Sequence, residues 1–318
     1  MEALFIRVET CADSGVHEYS GELAVLLVRA GYEVRSTADT QSTVRKKSLP
    51  PPAVCRIFHC MELIDSHIHL DFPVFDEDRE ALLAQAREAG IRRFVVPATT
   101  RESWSRIARL AARFSSRSAA FGIHPYFVHQ HSLEDCQALD QWLQDRHCVA
   151  VGEIGLDYQL NDIERDHQLA LFQAQLSVAR NHGLPVILHA RKAVEEVILQ
   201  LKAHGLSRGI VHSFNGSTVQ AHRLIDLGFK LGFGGALTYP GATRLRAMVK
   251  SLPPEAICLE TDAPDQATLS FKGERNQPIA LLEVLETVAD LMDIEPHMLA
   301  QQSTNNTYAA LNLSLIHI

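Results

Sequence analysis

Short apolar runs alternate with amphipathic helical patterns from residue 61 onward, and this alternation limits the fold more than any other feature of the sequence. The runs are rich in Val and Ile and do not alternate apolar with polar residues, which is typical of strands buried on both faces. Eight such runs are present, at residues 63–66, 93–97, 120–123, 149–153, 185–189, 209–212, 230–233 and 257–261.

Strand and helix units repeated over about 250 residues predict an α/β fold, the (β/α)₈ barrel, in which helices surround a ring of parallel strands. A doubly wound open sheet is the alternative that the same pattern leaves open. Residues 1–60 lack the alternation and end near three consecutive prolines, which is typical of a linker. We therefore predict a non-native or disordered extension at residues 1–60, the barrel at residues 61–313 and a tail at residues 314–318.

Composition narrows the class of protein. Hydrophobic residues make up 46% of the chain and charged residues 21%, which is typical of a globular protein. No apolar run approaches the ~18 residues that a membrane helix needs, and the start lacks a signal-peptide pattern, so we expect a cytoplasmic protein. The net charge of −8 argues against a basic nucleic-acid-binding surface, although bound cations can make an acidic pocket locally positive.

Imidazoles and carboxylates stand at the ends of five predicted strands. The first strand runs into His67 and His69, which point the same way because residues i and i+2 of a strand share a face. Glu153, His189, His212 and Asp262 end the fourth, fifth, sixth and eighth strands. The active sites of (β/α)₈ barrels lie at these strand ends, so we expect the six side chains to meet.

These side chains predict a metal centre. Burying unpaired carboxylates and imidazoles together costs several kcal/mol unless a cation pairs them. Ligand sets of His and carboxylate without thiolate suit Zn²⁺, Mn²⁺ or Mg²⁺, and Glu153 can hold one cation with each of its oxygens. Two cations about 3.5–4 Å apart would activate water and stabilise both attacking and leaving oxygens. For each of these residues taken alone, the alternative to a metal ligand is a helix cap or a hydrogen-bonded structural residue.

Six motifs resemble the TatD family of metal-dependent deoxyribonucleases, in the family's order and over residues 61–313. They are Asp-Ser-His-Ile-His-Leu-Asp at 65–71, Gly-Ile-His-Pro at 122–125, Gly-Glu-Ile-Gly-Leu-Asp-Tyr at 152–158, Leu-His-Ala-Arg at 188–191, His-Ser-Phe-Asn-Gly at 212–216 and Glu-Thr-Asp-Ala-Pro at 260–264. Six motifs in order are a specific match.

The resemblance implies a two-cation hydrolase of phosphodiester bonds, typically a 3′–5′ exonuclease on single-stranded DNA or RNA. It implies one cation held by His67, His69, Glu153 and Asp262, and a second held by Glu153, His189 and His212. Asp262 would also take the proton from the attacking water. Nothing in the sequence indicates a membrane or an obligate protein partner.

Three residues near these motifs are candidates for substrate contact. Arg191 could clamp a phosphate oxygen, and its alternative is a surface position at a helix start. His124 could be a leaving-group acid or a substrate contact, and its alternative is a structural histidine behind the ligands. Asn276 lies in a segment that resembles one lining the mouth of the family's active site, and its alternative is a polar loop.

Departures from the family pattern concern the substrate and not the metal. Ser213 and Asn215 stand where many members carry Cys and Ser, and Asp265 stands where many have an aromatic pair. The competing prediction is an amidohydrolase-type two-metal hydrolase of a small-molecule amide or ester, or of an aminoacyl-tRNA ester. The acidic net charge favours this class, whereas Glu153, in place of the modified lysine that many such enzymes use, favours the nuclease. A non-catalytic metal-binding scaffold is a third alternative.

Overall fold

The computed structural model describes residues 62–113, 117–160 and 164–313, together with the backbone of four short strands nearer the N-terminus. The chain divides into two compact units, Met1–Cys60 and Met61–Ile318. The first unit contains strands Phe5–Val8, His17–Tyr19, Tyr32–Ser36 and Gln41–Lys46, in the sheet order second, first, fourth, third. The predicted tail and most of the predicted extension lie outside the described residues, and both stay predictions.

Eight parallel strands form the sheet of the second unit. They are β1 Leu63–Asp65, β2 Ile91–Pro97, β3 Arg117–Phe121, β4 Ala150–Asp157, β5 Val186–Arg191, β6 Gly209–Val211, β7 Phe229–Phe233 and β8 Ile257–Leu259. Each strand pairs in parallel with its neighbour in chain order, from β1 to β8. The predicted (β/α)₈ barrel is therefore confirmed, because strand order in a doubly wound sheet reverses at a switch point.

The ring closes between the ends of β1 and β8 through backbone hydrogen bonds and one carboxylate. The backbone N–H of Ser66 donates to the Leu259 carbonyl at 3.0 Å. The Asp65 carboxylate accepts from the backbone N–H and the hydroxyl of Thr261, at 3.0 and 2.6 Å. The Asp65 side chain therefore replaces backbone hydrogen bonds that these two short strands do not form with each other.

Helices surround the strands and bury one face each against them. They are α1 Arg79–Glu88, α2 Trp104–Arg113, α3 Leu133–Gln144, α4 Arg165–Asn181, α5 Val194–His204, α6 Thr218–Asp226, α7 Thr243–Ser251, α8 Leu281–Met292 and α9 Pro296–Ala310. Gly205 ends α5 with a φ of +66°, a left-handed conformation that glycine adopts at low cost. No helix within the described part of the chain is long and apolar enough to span a membrane.

A separate apolar cluster packs inside the ring, with one strand residue from each of seven strands. These are Ile64, Val95, Ala120, Ala150, Ile187, Ile210 and Cys258, and Leu311 and Leu313 pack beneath them. Ile187 and Ile210 stand two residues before the predicted ligands His189 and His212. Because residues i and i+2 of a strand point to the same face, these side chains all point into the ring. The interior is therefore apolar toward the start of the strands and polar at their C-terminal ends.

Candidate metal centre

The six predicted ligands meet at the C-terminal end of the barrel, and Glu153 is the residue they share. Glu153 lies within β4, and its side chain is 1% exposed. Its Oε2 atom faces His67 and His69, and its Oε1 atom faces His189 and His212. The carboxylate therefore stands between two groups of ligand atoms, which we call the first and the second ligand group.

The first ligand group consists of His67 Nε2, His69 Nε2, Glu153 Oε2 and Asp262 Oδ1. His67 Nε2 lies 3.3 Å from His69 Nε2, 3.1 Å from Glu153 Oε2 and 3.5 Å from Asp262 Oδ1. His69 Nε2 lies 3.7 Å from Glu153 Oε2 and 3.4 Å from Asp262 Oδ1. Four atoms bound tetrahedrally to Zn²⁺ at its usual bond lengths stand about 3.3–3.6 Å apart. The atoms of His67, His69 and Glu153 are close enough to hold one divalent cation, and Asp262 Oδ1 lies next to the two imidazoles.

The second ligand group surrounds Glu153 Oε1. His212 Nε2 lies 3.0 Å from this oxygen and His189 Nδ1 lies 3.2 Å from it. His124, which the sequence predicts only as a substrate contact, reaches the same place: its Nε2 lies 3.2 Å from Glu153 Oε1 and 3.1 Å from His189 Nδ1. Three groups of residues are close enough to hold an ion: His124 with Glu153 and His189, His67 with His69 and Glu153, and His67 with His212 and Glu260.

Two buried carboxylates that the sequence analysis does not assign stand behind the second group. Asp157 Oδ2 lies 3.1 Å from His189 Nε2, and Glu260 Oε1 lies 3.4 Å from His212 Nδ1. A carboxylate behind a metal-binding imidazole orients the ring and fixes its tautomer. The sequence analysis ended the fourth strand at residue 153 and therefore did not place Asp157 at the site. In the structure β4 continues to Asp157, which pairs with Arg191 of β5. In the sequence, only the motifs at 152–158 and 260–264, which contain these two carboxylates, could have indicated them.

The electrostatics of the centre favour negative charge on Glu153 and protons on His69 and His212, whereas burial lowers the pKa of His67. Burial alone would raise the pKa of Glu153, but the charges of neighbouring histidines hold it well below its usual value. Burial alone would lower the pKa of His69, but its hydrogen bond to Asp262 and the nearby carboxylates raise it to about 9. Burial alone would lower the pKa of His212, but the charges of Glu153 and Asp262 and the contacts with Glu153 and Glu260 together raise it well above its usual value. Burial keeps the pKa of His124 below its usual value. A divalent cation could replace the protons on the ligand histidines.

A chain of hydrogen bonds holds the outer oxygen of Asp262. Ser213 Oγ donates to Gln266 Oε1 at 2.9 Å, and Gln266 Nε2 donates to Asp262 Oδ2 at 2.5 Å. All three residues have a left-handed backbone, with φ values of +46°, +48° and +54°. Such conformations cost about 1–3 kcal/mol each in residues other than glycine and concentrate at functional sites. These hydrogen bonds leave Asp262 Oδ1 free to face the first ligand group. No feature of the sequence indicated a role for Gln266.

The centre opens into a cavity of about 1270 Å³. Its walls combine aromatic and cationic side chains. These include Phe72, Tyr126, Phe127, Tyr158, Phe214, Arg191, Lys192 and Arg244. Arg244 donates to the Asn215 side-chain oxygen at 2.9 Å. The cavity therefore presents flat apolar faces next to the ligand groups, together with cationic side chains and acidic ones such as Glu195 and Glu196.

The three predicted substrate contacts have different surroundings. Arg191 is exposed at the end of β5 and lines the cavity. His124 lines the cavity and also touches the second ligand group. Asn276 is fully buried, and its amide donates to the carbonyls of Thr261 and Asp265 at 2.8 Å each. Asn276 therefore holds the loop after β8, and it is not among the residues that line the cavity.

Comparison with known proteins agrees with these motifs. The family model described as TatD related DNase matches residues 64–312. An uncharacterized metal-dependent hydrolase of Escherichia coli K12, YjjV, is 41% identical over 253 residues, which cover 79% of this chain and 98% of the relative. An uncharacterized metal-dependent hydrolase of Bacillus subtilis, YabD, is 32% identical over 77% of this chain and 96% of its own length.

Solved structures are similar over the same part of the chain. The crystal structure of YjjV, a TatD homologue from Escherichia coli, matches with a TM-score of 0.75 and 40% identity, covering 79% of this chain and 98% of that one. A TatD family hydrolase from Entamoeba histolytica matches with a TM-score of 0.68 at 19% identity, covering 78% and 97% of the two chains. The second similarity concerns the fold alone.

Proposed function

Because this chain belongs to the TatD family and is a metal-dependent hydrolase, we propose that it hydrolyses phosphodiester bonds of single-stranded DNA or RNA from the 3′ end. The observation that carries the proposal is the pair of ligand groups joined by one carboxylate, next to a cavity with aromatic and cationic walls. Two-metal sites are typical of enzymes that cleave phosphodiesters by in-line displacement.

In this proposal each ligand group holds one cation. His67, His69, Glu153 and Asp262 hold the first, and Glu153, His189 and His212 hold the second. The distances of 3.0–3.7 Å from the Glu153 carboxylate to the four histidines, and of 3.4 Å from Asp262 to His69, support this assignment. When bound, the cations supply the charge that activates water and stabilises the attacking and leaving oxygens.

Protein side chains have three tasks in this reaction. The Asp262 carboxylate accepts the proton of the attacking water, and Gln266 fixes its orientation by donating to Oδ2. Arg191 binds a phosphate oxygen at the cavity wall, where its guanidinium is exposed. Aromatic faces such as Tyr126, which is 53% exposed, can stack on a base without regard to sequence.

The competing candidate is an amidohydrolase-type enzyme acting on a small-molecule amide or ester, or on an aminoacyl-tRNA ester. The net charge of −8 and the presence of Glu195 and Glu196 at the cavity wall favour it, since both oppose a polyanionic strand. Arg191, Lys192 and Arg244 at the same wall favour the nuclease.

Hydrolysis of end-labelled strands separates the two candidates. Full-length, metal-loaded protein is incubated with single-stranded DNA and RNA that carry a 5′ label, with and without a chelator. The proposal expects a ladder of labelled products that shorten from the 3′ end and are absent with chelator. Unchanged strands, with metal-dependent cleavage of small esters or amides by the same preparation, would favour the amidohydrolase.

A further inference from the structure

The walls of the cavity differ in charge from one side to the other. Arg191 ends β5, Lys192 follows it, and Arg244 lies at the start of α7. All three side chains line the cavity, and within the described residues none of them forms an ion pair. We call this part of the wall the cationic side, and its unpaired charges can bind phosphate oxygens.

Two carboxylates on the cationic side already have partners. Glu195 accepts hydrogen bonds from Arg223 at 2.6 and 2.9 Å and from Gln220 at 2.9 Å. Glu196 accepts one from Gln200 at 2.7 Å. Because the charge of Arg223 offsets that of Glu195, the cationic side keeps an excess of positive charge.

Arg244 is held in place without being neutralised. Its Nη2 atom donates to the side-chain oxygen of Asn215 at 2.9 Å and to the Asn215 backbone carbonyl at 3.2 Å. Both acceptors are uncharged, so the guanidinium keeps its full charge and has further N–H groups for an anion. Asn215 is one of the positions at which this chain departs from the family pattern.

The loop after β8, on another side of the mouth, is acidic. Asp265 is exposed and lines the cavity, and within the described residues its carboxylate has neither a hydrogen bond nor an ion pair. Its backbone is fixed at both ends: the N–H donates to the Asp262 carbonyl at 2.9 Å, and the carbonyl accepts from Asn276 at 2.8 Å. Asp265 therefore presents an unpaired acceptor from a rigid position.

Asp265 adjoins the first ligand group. Partial burial and the charge of Asp262 raise the pKa of its carboxyl, and the charge of His69 lowers it, so both charged groups are within reach. Phe72, after β1, also adjoins this group, since its ring stacks on His69 with centroids 4.9 Å apart. The ring of Phe72 lines the cavity and offers an apolar face to a base.

This difference in charge orients a bound strand. The first ligand group has β1 and β8 behind it, whereas the cationic side follows β5 to β7. When the bond to be cut lies at the ligand groups, the part of the strand with further phosphates is attracted to the cationic side. The terminal nucleotide has no phosphate beyond the one that is cut, so it is the part that an acidic wall tolerates.

We propose that Asp265 selects strands with an unphosphorylated 3′ end, by accepting a hydrogen bond from the terminal 3′-hydroxyl and repelling a 3′-phosphate. Arg244 binds a phosphate further along the same strand. This inference rests on the proposed function and deepens it. It gives a role to a carboxylate that stands where many family members have an aromatic pair.

Two 5′-labelled single strands that differ only in a 3′-hydroxyl or a 3′-phosphate test the role of Asp265. For the full-length, metal-loaded protein we expect kcat/KM to be at least ~100-fold higher on the hydroxyl strand, because like charges brought together at a binding site are strongly disfavoured. Equal values would overturn the inference. Hydrolysis of neither strand would instead contradict the proposed function.

Asp265→Asn removes the charge with little change in volume. It should raise kcat/KM on the phosphate strand by at least ~10-fold, a gain that damage to the fold cannot produce. Asp265→Ser, a second uncharged variant, should give the same gain. Asp226→Asn is the matched control, since Asp226 is exposed on α6 and does not line the cavity. An unchanged ratio of the two substrates in both Asp265 variants would overturn the inference.

Strand length tests the role of Arg244. Arg244→Gln should raise KM about tenfold for a strand of ten nucleotides, the order expected for one hydrogen bond to a charged group, and leave KM unchanged for a dinucleotide without terminal phosphates. Arg208→Gln is the control, because Arg208 is exposed before β6, at the other end of the barrel. An equal rise in KM for both substrates would overturn the proposed direction of the strand.

Discussion

The two ligand groups share Glu153 but differ in what surrounds them. In the first, the His67 side chain is fully buried, and within the described residues Nδ1 of His67 and of His69 has no hydrogen-bond partner. In the second, His189 is 17% exposed to the cavity and Asp157 supports it from behind. The first group is closed and has four ligand atoms. The second is open at His189, which Asp157 orients, whereas its His212 is 4% exposed and, within the described residues, has no hydrogen-bond partner at Nδ1.

If each group holds one cation, as we propose, this difference predicts separate tasks for the two. Closed sites with four protein ligands typically hold a metal for structure, whereas sites with an open position leave room for water or substrate. We therefore expect the first group to bind its cation more tightly and the second to exchange it with solvent. Removal of a residue that both groups share should have the largest effect.

Glu153→Gln tests the shared carboxylate, with little change in side-chain volume. Loss of one negative charge between the groups should remove both cations and lower kcat/KM by at least ~10⁴-fold, the order found when a central member of a catalytic unit is removed. Metal analysis after gel filtration and steady-state kinetics measure the two effects. Retention of one full equivalent of cation would contradict the idea that both groups need the Glu153 carboxylate.

His67→Ala with His69→Ala tests the closed group alone. The double variant should lose the first cation and all detectable hydrolysis, because half of the ligands of that group are gone, while circular dichroism stays that of a folded barrel. His182→Ala is the matched control, since His182 pairs with Asp140 at 2.9 Å and is not a predicted ligand. Near-normal activity in the double variant would refute the site assignment.

Asp157→Asn tests the support of the open group. Loss of the carboxylate behind His189 should weaken binding of the second cation by about 10–100-fold, a usual effect of such a change, and leave the first cation in place. Competition with a coloured zinc chelator resolves the two affinities. An equal loss at both positions would show that the groups are not independent.

The pH dependence of stability should distinguish metal-free from metal-loaded protein. The pKa of His69 in the folded, metal-free protein is raised from 6.5 to about 9. The stability that its pairing contributes is therefore complete below pH 6.5 and is lost as the pH rises through about 9. With chelator, Tm should fall by a few degrees over this range, whereas with excess Zn²⁺ it should not fall, because metal binding needs the unprotonated ring. Parallel Tm curves would contradict the assignment of His69 as a ligand.

The barrel itself was predictable because its signals are local. Unalternated runs of Val and Ile indicate strands buried on both faces, and all eight predicted runs overlap the strands of the structure. The positions of His67, Glu153 and Asp262 followed from the rule that parallel strands present their C-terminal ends at one edge. Each of these inferences needs only neighbouring residues and the period of a strand.

The contacts that distinguish one histidine from another required the tertiary structure. His124 and His189 are 65 positions apart, and neither sequence segment indicates which nitrogen of each ring faces Glu153. The outer nitrogen of His124 contacts the backbone N–H of Tyr126, and that of His189 contacts the Asp157 carboxylate. These contacts depend on a turn and on the continuation of β4 to residue 157. Sequence periodicity thus determined which residues reach the end of the barrel. Packing of the barrel decided which atom of each side chain faces the centre. Hydrogen-bond partners are set by distances between neighbouring strands and not by distances along the chain.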